Sequence, residues 1–185
     1  MATRLAILAT AKAILKIVAD SCPAAEFPGA EFRLLQAADF ASPQTLSEGG
    51  SVLLYQVVPS ALQRNTPGRR TPGGRSRPPL AIDLHFLITP LSGSAETQLS
   101  MLGWILRALE DTPILTAGLL NAAFPGEVVF SPTERVDLVS NSLSTQDTAA
   151  LWAGLGSARA IPSLTYVARA VMIEAEGEPR QGETR

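Results

Sequence analysis

Histidine and cysteine each occur once in the 185 residues. A lone cysteine closes no internal disulfide. Together with a lone histidine it cannot supply the several nitrogen and sulfur ligands of a structural zinc site. Cys22 therefore reads as a small buried or half-exposed thiol, and a reducing compartment is permitted. Lysine is confined to Lys12 and Lys16, aromatics make up 5% of the chain, and the formal net charge is −2. The chain as a whole is thus not a basic nucleic-acid binder. Long apolar runs are missing too. The opening MATRLAILATAKAILKIVADSC is interrupted by Lys12 and Lys16. It lacks the unbroken core of about 7 to 15 apolar residues of an export signal, and the roughly 20 needed to span a bilayer. Asp20 just before Cys22 argues against a lipoprotein signal. No membrane partner is expected.

Acid is absent between Glu48 and Asp83, and the most unusual stretch of the chain falls in that window. Gln63 to Pro79, QRNTPGRRTPGGRSRPP, holds Arg64, Arg69, Arg70, Arg75 and Arg77, four prolines, three glycines and no large apolar residue. Such a composition forms neither a helix nor a central strand. Gly68 to Gly73 has the glycine spacing of a phosphate-binding loop, but Gly74 stands where its lysine belongs. Pro78 and Pro79 then forbid the helix that would hold the phosphate. The arginines suit nucleic-acid phosphates, yet no aromatic platform for bases accompanies them. A nucleic-acid or anionic-surface binding module is therefore the second reading. A solvated loop without partner is the plainest one. A semi-extended arm docking on another protein fits the prolines and arginines best.

The remaining chain alternates helices and strands. Ile7, Ala11, Ile14 and Val18, beside Leu8 and Leu15, predict an amphipathic first helix. Glu31 to Ala37 predicts a short strand, Gly49-Gly50 a break, and Val52 to Val58 a strand ended by Pro59. In Leu80 to Thr89, Leu80, Ile82, Leu84, Phe86 and Ile88 share one strand face, and Asp83 and His85 share the other. Ser94 caps a helix to Leu109 that is apolar on two sides. Leu99, Leu102, Leu106 and Leu109 form one stripe, and Met101, Trp104 and Ile105 a second. Such a helix is either sandwiched in the core or shared with a neighbouring subunit. ILTAGLL after Pro113 predicts a short helix. Glu127 to Phe130 and Arg135 to Val139 predict two short strands around Ser131-Pro132. Ser144 to Asp147 opens a helix ending near Gly154 or Gly156, and Leu164 to Ile173 is expected as the last and longest strand. The class is α+β: a single domain with a mixed, mostly antiparallel β-sheet flanked by helices.

Catalysis finds little support. Asp83 and His85 could orient a base, but no G-x-S-x-G elbow accompanies them. No catalytic, cofactor or metal residues are assigned. Asp83 and His85 read as surface or interface polar groups.

The order LLYQVVPSALQRN (53 to 65), an arginine-bearing loop, RPPLAIDLHFLIT (77 to 89), LSMLGWILRALEDTPIL (99 to 115) and LWAGLGSARAIPSLTYVARAVMIE (151 to 174) resembles the cap, or tail-terminator, family of extracellular contractile injection systems. These are phage-tail-like particles of the antifeeding-prophage type. The resemblance implies a tail-terminator-like domain over residues 1 to 176, with a flexible tail over 177 to 185. It implies a structural, non-enzymatic subunit that assembles as a six-fold ring on the end of the inner tube and last sheath layer. There it ends polymerisation and anchors the sheath. It implies cytoplasmic assembly, then residence in the particle, with self, tube and sheath as partners. Arg64 and Asn65 match one family signature, and Arg77, Pro78, Pro79, Leu80, Asp83 and Leu84 match another. Candidate interface residues are accordingly Arg64, Asn65, Arg69, Arg70, Arg75, Arg77, Asp83 and Trp104.

Overall fold

The computed structural model describes residues 3–41, 48–61, 70–71, 74–75, 78–156 and 160–174. Helix α1 (Ala6–Ser21) leads to strand β1 (Glu31–Leu34), helix α2 (Ala37–Ala41) and strand β2 (Gly49–Pro59). The two-residue strands β3 (Arg70–Thr71) and β4 (Gly74–Arg75) pair with each other. Strand β5 (Leu80–Leu91), helix α3 (Ala95–Glu110), strand β6 (Ile114–Thr116) and helix α4 (Ala117–Asn121) follow. Strand β7 (Arg135–Ser140), helix α5 (Thr145–Gly154) and strand β8 (Leu164–Ile173) complete the chain. The main sheet has six strands in the order β1-β2-β5-β8-β7-β6. Its pairings are antiparallel except for β1 with β2. The α+β expectation of a mixed, mostly antiparallel sheet with flanking helices holds.

Helices cover both faces unequally. On the first face α1, α3 and α4 pack on Val52, Ile82, Leu84, Phe86, Ile88, Tyr166, Ala168 and Val171 of the central strands. The buried side of α1 is built from Ala6, Ala9, Thr10, Ala13, Ile14, Ile17 and Val18. Small residues let the helix lie close to the sheet, while Leu8 is left exposed. On the second face α2 and α5 bring Phe40, Trp152 and Leu155 onto Leu53 and Leu87.

Three local expectations are corrected. Gly49 and Gly50 are no break, because both lie within β2. A Cβ on Gly49 would meet the Glu31 carbonyl oxygen at 1.9 Å, and one on Gly50 the Phe32 ring at 2.8 Å. Glycine is used here for the close approach of β1, with Gly49 at φ +147°. Residues 127–130 form no strand. The Asn121 side chain instead accepts from the backbone N–H groups of Val129 and Phe130 and donates to the Phe130 carbonyl, at 2.8 to 3.0 Å. Finally, β8 has 10 residues and β5 has 12, so β5 is longer. Strand β5 continues through Pro90 because β8 stops opposite Ile88, leaving the proline with only β2 beside it.

Candidate assembly surface

Of the residues singled out as interface candidates, Arg64, Asn65, Arg69 and Arg77 lie outside the described residues. Arg70 and Arg75 are described in backbone only and face each other across the β3–β4 pair. The arm springs from the ends of β2 and β5, two strands paired from Gly49↔Leu91 to Pro59↔Ile82. Its root is therefore a rigid ladder.

Asp83 has a definite structural task. Pairing of β5 with β8 shifts register between Ile82 and Leu84. Ala170, in the bulge this creates, adopts φ +52°. That left-handed conformation costs a non-glycine residue about 1 kcal/mol. The Asp83 carboxylate accepts from the Ala170 N–H at 2.8 Å and holds the bulge. His85 does not complete an acid–histidine pair with it. Its ring stands edge-on to Tyr55, with centroids 5.9 Å apart.

Trp104 is likewise engaged within the chain. Its ring lies 5.8 Å from both Phe27 and Phe32, and its indole N–H donates to the Ser21 carbonyl at 3.2 Å. The residue thereby ties α3 to the end of α1 and to β1. Helix α3 begins as expected, with Ser94 accepting from the Thr97 N–H. Its two apolar stripes part company, except that Leu109, expected beside Leu99 and Leu106, turns inward: Met101, Ile105 and Leu109 enter the core, while Leu99 is 58% and Leu106 40% exposed.

Where the central strands outrun the helices, apolar side chains are also left open. Val57 is 46% and Leu80 55% exposed. Val57 pairs with Leu84 and Leu80 with Ile173, so these residues sit on the first face, beyond the helices.

A cleft of about 520 Å³ lies on the other face between α5 and the loops around Ser140 and Ile161. Trp152 lines it, and its buried indole N–H has no partner among the described residues. Among the described residues no charged side chain lines the cleft. Cys22 closes α1, half-buried, and burial pushes its thiol up. Among the described residues no helix is long and apolar enough to cross a membrane.

The architecture is that of the tail terminators. Over 100% of its length the chain matches the sheath/tube terminator of an extracellular contractile injection system (PVC) in its extended state, with a TM-score of 0.63 and 18% identity. Over 94% it matches the tube-terminating cap of the anti-feeding prophage, with a TM-score of 0.55 and 18% identity. The chain spans 62% and 56% of the length of those two proteins. No curated protein matches it. By sequence the chain belongs to the family described as the Pvc16 N-terminal domain, whose profile matches residues 16–184.

Proposed function

We propose that the chain is a structural cap, a tail terminator, of a contractile injection particle. It forms a ring of copies on the end of the inner tube and sheath, ends polymerisation there and anchors the sheath. The role is non-enzymatic. The observation that carries this reading is the family match over residues 16–184, joined to a terminator fold along the whole chain. Asp83 and Trp104 act mainly within the subunit, stiffening the sheet and the α1–α3 joint. The arginine arm acts outward, on a neighbouring cap subunit or on the terminal tube or sheath ring. Its five arginines leave ten basic residues against seventeen acidic ones in the rest of the chain. Outside its own arm a neighbouring copy therefore carries a net negative charge, which favours such an approach.

The test is location. Particles assembled with a tagged chain, viewed by electron microscopy with a gold label, are expected to carry label at one end only. Label along the shaft, or none, contradicts the cap. Replacing Arg69, Arg70 and Arg75 together with serine is expected to lower incorporation into the end structure. Unchanged incorporation reduces the arm to a spacer.

A further inference from the structure

Strands β7 and β8 are antiparallel neighbours, with Ser140 opposite Tyr166. Helix α5 is therefore an excursion within a hairpin. The chain leaves the sheet after β7 and returns to the adjacent strand. Both ends of the excursion are pinned. The Asn141 N–H donates to the Thr165 carbonyl at 2.8 Å, and the Thr165 hydroxyl donates to the Asn141 carbonyl. At the return, the Ser163 hydroxyl donates to the Ile161 carbonyl and lies 2.9 Å from the Thr89 hydroxyl. No strand pairing depends on α5, so the helix can move while the ladder stays intact.

Little holds α5 down. Of its ten residues only Trp152 is buried, joined just past the helix by Leu155. These two rest on Phe40, Leu53 and Leu87, with the Phe40 ring edge-on to the indole at 5.4 Å. Among the described residues the polar side chains of α5 bond only at its own start, Asp147 with Ser144 and Thr148 with the Ser144 carbonyl. Clefts of about 520 and 480 Å³ flank the helix. Thr148 and Trp152 line the first, Ala150 and Gly154 the second, so the two lie on opposite sides. A buried donor without a partner, as the Trp152 N–H is, favours any state in which water reaches it. Gly156, at φ +72°, follows the helix and supplies a turning point.

We propose that residues 144–156 are a lid on the second face. The lid lifts as one unit, exposing Leu53, Leu87 and Trp152, while the six-stranded sheet and the first-face core stay folded. The subunit thus has two states of one face on an unchanged body, and any contact made better by one state selects it. This goes beyond the cap reading and does not depend on it.

Backbone hydrogen exchange of the isolated full chain in a urea series tests the lid. Amides of residues 149–154 are expected to share one level of protection, roughly a hundredfold or more below that of β5. That protection should fall as urea rises, because a concerted opening exposes surface. Ile82→Val thins the first-face core conservatively. It is expected to lower protection in β5 severalfold and to leave that of α5 unchanged, since Ile82 keeps its contacts when the lid opens. Equal protection in α5 and β5, falling together in Ile82→Val, makes the two faces one cooperative unit and overturns the lid. Protection graded along α5 without urea dependence also overturns it, in favour of fraying from the helix ends. The urea series needs no variant and decides between these outcomes by itself. No tube, sheath or end structure enters the experiment, so either result leaves the cap reading where it stands.

Discussion

The two faces of the sheet differ sharply in depth. Among the described residues the cluster under α1, α3 and α4 gathers twenty-five buried apolar residues, and the cluster under α2 and α5 five. The sheet is thus a one-sided scaffold. Stability resides where alanines bring α1 close and aromatics fill the space between helices. The thinner face leaves a cleft and an unpartnered indole. One consolidated face holds the fold, while Val57 and Leu80 at the strand ends stay exposed.

Truncation on the two faces gives the largest expected contrast. Phe86→Ala, at a site with no exposure, should cost about 3–5 kcal/mol in chemical denaturation. Leu53→Ala on the thin face should fall near the low end for leucine, about 2 kcal/mol, because the adjoining space relaxes. Equal losses would mean the second face is as firmly packed as the first. Next in size is Asn121→Ala. It leaves the buried Val129 and Phe130 backbone without three hydrogen bonds and should cost about 2–3 kcal/mol. An unchanged midpoint would show that another group fills the role.

Smaller effects sharpen the picture further. Ala170→Gly should stabilise by about 1 kcal/mol at most, by relieving the left-handed residue that Asp83 holds in the bulge. Destabilisation would mean the methyl group matters more than the strain. The smallest effect is a pH limb. Burial, then the bond to Glu110 at 2.8 Å, pushes the Tyr166 hydroxyl well above its ordinary value of 10.0. The folded state holds this proton more tightly than the unfolded state does. Its contribution is therefore complete below pH 10.0 and is lost as pH rises toward the folded value. Tyr166→Phe should flatten that alkaline decline, and an unaltered decline assigns it to other groups.

Much of this fold was legible because local and tertiary demands agreed. Alternation in Leu80 to Thr89 marks both faces of β5, and the Ser94 and Ser144 caps mark the starts of α3 and α5. Where the reading failed, a distant partner had changed the meaning of a residue. Gly49 and Gly50 carry a turn signal, yet they serve the close approach of β1. Residues 127–130 carry a strand signal, yet Asn121 satisfies the backbone of Val129 and Phe130 from a helix. The candidate surface was only half legible. Two apolar sides of α3 follow from spacing, but which side faces out depends on where α1 and the sheet lie. Trp104 looks like an interface residue in sequence because Phe27, Phe32 and Ser21 are far from it along the chain.

The central claim concerns the end of a tube, and the length of particles tests it most directly. Particles assembled with and without this chain should be measured by electron microscopy. The cap account predicts uniform lengths with a finished end in its presence, and overlong or variable tubes lacking that end structure in its absence. Unchanged lengths with intact ends would contradict it.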